Sequence, residues 1–135
     1  TAYYSRFNFH YLAVTAHADG QRELMIMSSQ ASHPDGNLVF HGDPLKIPNE
    51  GKVRLALEIN ESALQYFYAL EGEGNLKPFG PRLDASLLSD ECGGHAEHGS
   101  FTGAFVGVCA QDLNGTAAPA DFTYLTYEPF KGAMD

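Results

Sequence analysis

Short runs of alternating side chains, divided by turn-forming residues, limit the fold of this chain more than any other feature of its sequence. In residues 53–60 every odd position is apolar. Residues 63–70 also alternate, with Leu64, Tyr66, Tyr68 and Leu70 at the even positions. A period of two is typical of half-buried strands, whereas no stretch of about 11 residues repeats with the helical period. The sequence therefore predicts an all-β fold, an antiparallel β-sandwich built from short strands.

Further strands are expected wherever an apolar or alternating run is bounded by Gly, Pro, Asn or Asp. These runs are residues 3–16, 23–28, 38–41, 76–80, 101–110 and 121–127, while residues 81–88 fit either a strand or one helical turn. Residues 43–52 contain Pro44 and Pro48 and are interpreted as a loop. The apolar run at 101–110 indicates a strand that is buried on both faces.

Turns and strand faces can also be inferred from single residues. Asp19 followed by Gly20 is expected at a tight turn, because glycine adopts positive φ without steric cost. In the first predicted strand, one face begins with the polar residues Arg6, Asn8 and His10 and continues with the apolar residues Leu12 and Val14. We expect this part of the face to meet solvent or a ligand.

Composition and charge narrow the class of partner. The chain has 135 residues, 44% of them hydrophobic, which is enough for one packed domain over residues 1–135. Its net charge of −9 would repel phosphates, so we predict neither a nucleic-acid partner nor binding to an anionic membrane. No apolar run approaches the roughly 20 residues that span a bilayer. The sequence opens at Thr1 in a strand pattern without a leader, so localisation stays open and we expect a piece of a longer protein.

Residues 89–100 gather cysteine, histidine and carboxylate side chains directly before an apolar run. Cys92, His95 and His98 have the spacing C-x2-H-x2-H, and thiolate and imidazole are ligands that zinc prefers. No fourth ligand stands nearby, and a polar surface loop is the simpler interpretation, so we predict neither a metal nor any other cofactor. Cys92 could instead form a disulfide with Cys109, or the two could remain a loop thiol and a buried strand thiol.

The carboxylates do not form the acid–base pair of a hydrolase, in which two groups are held across the substrate. Asp90 and Glu91 are adjacent and point to opposite faces of an extended chain, and Asp112 is interpreted as a turn residue. We therefore predict no catalytic residues in this chain. Aromatic side chains could stack on sugar rings or fill the core, and the candidates are Tyr3, Tyr4, Tyr66, Tyr68 and Phe101.

Two tripeptides match the acceptor pattern for N-linked glycans. They are Asn60-Glu61-Ser62 and Asn114-Gly115-Thr116. Because such tripeptides also arise by chance, they give only weak support for secretion from a eukaryotic cell. Asn114 followed by Gly115 also suits a tight turn, which offers a structural reason for the pair.

A series of motifs runs through the chain in order. They are Tyr3-Tyr4-Ser5, His10-Tyr11-Leu12, GPRLDASLLSDE at 80–91, FTGAFVG at 101–107, Gln111-Asp112 and PADFTY at 119–124. In this series the chain resembles the C-terminal domain of β-xylosidases of glycoside hydrolase family 43, which is also classed as carbohydrate-binding module family 91. The resemblance covers nearly the whole chain and implies a concanavalin-like β-sandwich.

The resemblance implies a non-catalytic accessory role, since the catalytic carboxylates of these enzymes lie on a separate propeller domain. The chain would dock on that propeller and close its substrate pocket through Phe101, with His98 and Gly99 beside it. The parent enzyme would hydrolyse xylo-oligosaccharides, and its preference between xylose and arabinose stays open. Family members often carry an aromatic where Cys92 stands, so the loop here is more charged than usual.

The resemblance also implies that the sandwich begins several strands before Tyr3. We expect the missing strands to come from a partner chain or from a second copy, so that an oligomer results. Two other functions stay open. One is a free-standing module that binds xylan without a catalytic partner, and the other is a purely structural or oligomerisation domain.

Overall fold

A computed structural model describes residues 1–30, 38–89 and 103–129 of the chain. Two antiparallel sheets pack face to face, which confirms the predicted all-β sandwich. The strands are β1 (Ala2–Ser5), β2 (Asn8–Ala16), β3 (Arg22–Ser29), β4 (Leu38–Phe40), β5 (Leu45–Ile47), β6 (Val53–Asn60), β7 (Ala63–Leu70), β8 (Lys77–Asp84) and β9 (Phe105–Val106), and a 3-10 helix spans Ala85–Leu88.

The larger sheet has the order β4-β3-β2-β1-β9, with β5 paired to the other end of β3, and the smaller sheet has the order β6-β7-β8. The core lies between them and is filled from both sides. The larger sheet contributes Tyr4, Leu12 and Ile26, and the smaller sheet contributes Leu64 and Tyr66. Burying each aliphatic side chain of this kind stabilises the fold by about 1.5–3 kcal/mol. Within the described ranges no helix is long and apolar enough to cross a membrane.

The alternating runs at 53–60 and 63–70 are confirmed residue for residue as β6 and β7. Leu57 and Ile59 pack against the core, as the alternation predicts, whereas Leu55 on the same face is exposed. The difference arises because the core cluster lies toward the end of β6 at Asn60. The turn at Asp19-Gly20 is also confirmed, since Gly20 has a φ of +87° and closes the β2–β3 hairpin.

The first strand was predicted wrongly in two respects. Residues 3–16 form two strands, because the chain reverses at Arg6-Phe7 and pairs Ser5 with Asn8. Asn8 and His10 are 0% and 2% exposed, so the expectation that they meet solvent was wrong. Their face points into the space between the sheets, where backbone carbonyl groups of the β8 end and the 3-10 helix accept hydrogen bonds from them.

The C-terminal strands were also predicted wrongly. In the described part of the expected buried strand at 101–110, residues 103–110, the one strand is β9, whose Phe105 is 61% exposed. The expected strand at 121–127 has no regular secondary structure. β9 pairs through Phe105 with Tyr3 of β1, which is its only partner strand within the described residues. Alternation indicates which face of a strand could be buried, but it does not supply the element that buries it. In the described part of the chain nothing covers Tyr124, which is exposed.

Two connecting segments contain regular secondary structure that their composition did not predict. The segment read as a loop at 43–52 contains β5, which Arg22 fixes by donating to the Pro48 carbonyl at 2.7 Å. The uncertain segment at 81–88 divides between the end of β8 and the 3-10 helix. Within β8 the register shifts around Gly80, where φ is +75° and the backbone passes close to Ile26.

Candidate functional site

The residues proposed for the site from the sequence, His98, Gly99 and Phe101, lie outside the described residues. The same is true of Cys92 and His95, so the zinc spacing is untested as well. The structure does describe both ends of the segment that carries them, which run up to Ser89 on one side and from Gly103 on the other. These two ends are the support of the predicted site.

The 3-10 helix leads the chain into this segment, and its ends are capped by its own residues. Asp84 precedes the helix, and its Oδ1 accepts from the Ser86 backbone N–H at 2.9 Å. Hydrogen bonds from Ser86 hold the pKa of the Asp84 carboxyl below its usual range. At the other end Ser89 donates to the Ser86 carbonyl through both its backbone N–H, at 3.0 Å, and its hydroxyl, at 2.6 Å. The chain direction is therefore defined up to Ser89.

Two buried polar side chains of β2 attach this helix to the larger sheet. Asn8 donates from Nδ2 to the Leu87 carbonyl at 2.9 Å, and His10 Nε2 lies 2.9 Å from the Asp84 carbonyl oxygen. A carbonyl only accepts, so Nε2 of His10 carries the proton and, in a neutral ring, Nδ1 is an acceptor. These two contacts bridge the sandwich at the point where the segment leaves it.

The acceptor nitrogen of His10 continues into a hydrogen-bonded chain. Its Nδ1 lies 2.6 Å from the Ser28 hydroxyl, and that hydroxyl lies 2.8 Å from Nε2 of His41. Ser28 therefore donates to His10 and accepts from His41. Burial lowers the pKa of His10, with the nearby His41 acting in the same direction and the Asp84 carbonyl and carboxylate opposing them. His10 is accordingly neutral and fixed in one tautomer at neutral pH.

The far end of the predicted site segment is held by β9. Phe105 and Val106 pair with Tyr3 and Ala2 of β1. Beyond them Thr1 and Gly107 exchange backbone hydrogen bonds of 3.0 and 3.1 Å. The segment thus returns to the edge of the larger sheet, next to the strand that precedes Asn8 and His10.

A cleft of about 310 Å³ lies between the two ends of this segment. Its apolar surface comes from the β6 end, the 3-10 helix and the approach to β9, and serine hydroxyls stand among these groups. The lining residues are Ile59, Glu61, Ser62, Ala85, Ser86, Leu88, Ser89 and Ala104. Apolar groups and hydroxyls, with the Glu61 side chain among them, suit a neutral ligand or a partner's side chain better than an anionic one.

Asp112 serves a turn, as predicted. Its side chain accepts from the backbone N–H groups of Asn114, Gly115 and Ala117, and these bonds, with that from Ala117 the strongest, lower the pKa of Asp112. In the described ranges no group of three or more His, Cys, Asp or Glu side chains is placed to hold a metal ion. Asp90 and Glu91 fall outside those ranges.

The aromatic candidates for sugar stacking prove to be mostly structural. Tyr4 and Tyr66 are buried in the core, and the Tyr66 hydroxyl donates to the His10 carbonyl at 2.7 Å. Burial raises the pKa of Tyr66. Tyr3 stacks on Phe9, and Tyr68 meets Phe79 edge to face. Tyr3 and Tyr68 are half-buried, and Phe101 lies outside the described residues.

Cys109 was predicted to be either bonded to Cys92 or buried as a strand thiol. The structure shows Cys109 as a free and exposed thiol, so the buried-thiol alternative was wrong. Its side chain is exposed because the strand predicted around it does not form beyond β9. Cys92 lies outside the described residues.

The residues that sequence reasoning missed are Asn8, Ser28 and His41. The available signal was weak, since polar side chains on a strand usually indicate the solvent face. The better indication was parity, because Asn8 and His10 share a strand face with Leu12, a core residue.

Comparison with known proteins gives concordant matches. A family model described as the β-xylosidase C-terminal concanavalin A-like domain matches residues 1–128. Xylosidase/arabinosidase 43B of Humicola insolens is 64% identical over the whole chain, which covers 25% of that protein. A putative β-xylosidase of Escherichia coli K12 is 32% identical over 96% of the chain and 23% of that protein. The chain thus spans about a quarter of the length of these curated relatives.

A solved structure agrees with the sequence matches. The crystal structure of a xylan β-1,4-xylosidase from Bacillus halodurans C-125 superposes with a TM-score of 0.73 at 32% identity. The match covers 85% of this chain and 21% of that one.

Proposed function

Since the chain belongs to the family of β-xylosidase C-terminal concanavalin A-like domains, we propose that it is the accessory domain of a longer glycoside hydrolase that acts on xylo-oligosaccharides. The domain docks on the catalytic propeller of that enzyme and closes its substrate pocket with Phe101, flanked by His98 and Gly99. The observation that carries the proposal is the match of the entire chain, at 64% identity, to one quarter of a xylosidase/arabinosidase.

The geometry around the predicted site segment supports this role. A segment that closes another domain's pocket needs ends that do not move, because misplacement of a contact by about 1 Å can cost on the order of a hundredfold in rate. The entry at Ser89 is held through the capped 3-10 helix and its bonds to Asn8 and His10. The exit is held through the pairing of β9 with β1. The cleft of about 310 Å³ at the same place offers a surface for the partner domain.

The test is Phe101→Ala in the full-length enzyme, assayed on xylobiose and on an aryl xyloside. Loss of a pocket wall should lower kcat/KM by roughly tenfold to a hundredfold, because the sugar loses positioning and gains water. Phe40→Ala is the matched control, since Phe40 is an exposed phenylalanine on β4 at the opposite edge of the larger sheet. It should leave kcat/KM near the wild-type value.

Equal activity in Phe101→Ala and Phe40→Ala would remove the segment from the substrate pocket. A loss confined to kcat/KM with unchanged thermal stability would support pocket closure. A loss of activity that follows a loss of stability would instead assign Phe101 to the core of the sandwich.

A further inference from the structure

The turn at residues 112–117 is organised by a single carboxylate. Asp112 accepts the Gly115 backbone N–H at 2.9 Å and the Ala117 backbone N–H at 2.8 Å. Gly115 and Ala117 both have positive φ, at 73° and 54°. The turn is therefore built from its own residues and presents its tip outward, with Leu113 90% exposed.

Within this turn Asn114 has the local geometry of an acceptor for an N-linked glycan. Thr116 donates from Oγ1 to Asn114 Oδ1 at 3.4 Å, so the hydroxyl and the amide of the acceptor tripeptide face each other. The contact occupies the amide oxygen and leaves Nδ2, the atom that would bond to the sugar, with no hydrogen-bond partner among the described residues. Both side chains are on exposed residues, as a bulky hydrophilic group requires.

The second acceptor tripeptide is placed differently. Asn60 is the last residue of β6 and pairs with Ala63 across the hairpin, while Glu61 between them has a φ of +56°. The carbonyl of Ser62 accepts the Ala85 backbone N–H at 2.8 Å, and Ser62 lines the cleft beside the 3-10 helix. Asn60 and Ser62 are exposed as well, so the two sites differ in their backbone contacts and not in exposure. This tripeptide is part of a strand ladder and of an inter-element contact, whereas acceptor tripeptides belong to free surface loops.

We propose that Asn114, and not Asn60, carries an N-linked glycan when this protein passes through a eukaryotic secretory pathway. The donor is a lipid-linked oligosaccharide pyrophosphate. A bond forms between Asn114 Nδ2 and the anomeric carbon, the bond from that carbon to the pyrophosphate oxygen breaks, the lipid pyrophosphate leaves, and the nitrogen loses one proton to a base. The glycan would then project from the turn without displacing any contact that the structure describes for it.

The experiment expresses the full-length enzyme in a secreting yeast and maps its glycopeptides by mass spectrometry before and after amidase deglycosylation in heavy-oxygen water. Conversion of Asn114 to labelled Asp is expected in the wild-type protein and in Asn60→Gln. It should disappear in Asn114→Gln and in Thr116→Ala, which keeps the asparagine but removes the hydroxyl. Thr116→Ser retains the hydroxyl and should retain the modification.

Labelling of Asn60, or an unmodified Asn114 in secreted wild-type protein, would overturn the proposal. Retention of the label at Asn114 in Thr116→Ala would also overturn it, because the tripeptide would then not be the determinant. Site-resolved mapping separates these outcomes from glycans elsewhere in the enzyme. It does not depend on the activity of any variant.

Discussion

His10 is the residue whose removal should report most directly on how the two sheets are joined. Its imidazole is buried, accepts from Ser28 at 2.6 Å and donates to the Asp84 carbonyl at 2.9 Å. Substitution His10→Ala removes the donor to the Asp84 carbonyl and the acceptor of the buried Ser28 hydroxyl, which keeps its contact with His41. Each lost hydrogen bond costs about 0.5–1.5 kcal/mol, and the site left by the buried imidazole adds a cavity term. We therefore expect the free energy of unfolding to fall by about 3 kcal/mol, a large share of the roughly 5–15 kcal/mol that a domain has.

The same residue should make stability depend on pH, with a sign that follows from burial. Burial holds the pKa of His10 below the ordinary value of 6.5, so the folded state resists protonation. Above 6.5 both states are neutral and the full stability is present. As the pH falls below that value the unfolded chain binds the proton first, and stability is lost until the folded pKa is reached. The slope in this window is at most about 1.4 kcal/mol per pH unit.

Urea unfolding followed by far-ultraviolet circular dichroism, at neutral and at mildly acidic pH and at one protein concentration for all variants, measures both effects as differences from the wild-type chain. His10→Gln supplies a neutral amide in place of the imidazole, and it should flatten the acid slope relative to the wild-type chain. His17→Gln, at a histidine whose side chain is 58% exposed, controls for the replacement of a histidine by glutamine as such. The reasoning fails if His10→Gln and the wild type lose equal stability on acidification. It also fails if His10→Ala costs less than about 1 kcal/mol.

Three further outcomes are expected. Gly80→Ala should lower the free energy of unfolding by about 2–4 kcal/mol in a urea titration, because φ is +75° and a Cβ would lie 2.4 Å from Ile26 Cδ1. Gly74→Ala is the control and should be neutral, because a Cβ there would meet nothing within 4 Å. Calorimetric titration of the chain with millimolar xylo-oligosaccharide should give no heat, because Tyr4 and Tyr66 lie in the core, and saturable heat would favour an autonomous xylan-binding module. Size-exclusion chromatography should show association of the isolated chain, since β9 and Tyr124 are exposed, and a monomer with a sharp two-state melt would contradict this.

Where the sequence predicted the fold correctly, the information was local. β6 and β7 follow from a period of two bounded by Glu61 and by the turn after Leu70, and no distant residue is needed to place them. The family, and with it the concanavalin-like architecture, could be named from ordered motifs such as FTGAFVG at 101–107. The positions of these strands and the family motifs can both be read from residues that are neighbours along the chain.

Where the predictions were wrong, the missing information was a distant partner. The prediction that Asn8 and His10 meet solvent was wrong because their acceptors, the carbonyls of Leu87 and Asp84, belong to elements far along the chain. The run at 121–127 alternates like a strand, but alternation does not say which element would pair with it. The predicted site around Phe101 stays a prediction, since it falls outside the described residues.

The chain of hydrogen bonds from His41 through Ser28 to His10 has a kinetic consequence. His41 is only partly buried, so its ring is in reach of solvent, while His10 is enclosed. A hydroxyl that accepts from one imidazole and donates to the other can pass a proton inward by reversing both bonds. The interior histidine can therefore equilibrate with bulk acid through rotation of one serine hydroxyl and tautomer exchange, without the sheets separating. Ser28→Ala would interrupt that route and make the equilibration of His10 wait for opening of the sandwich.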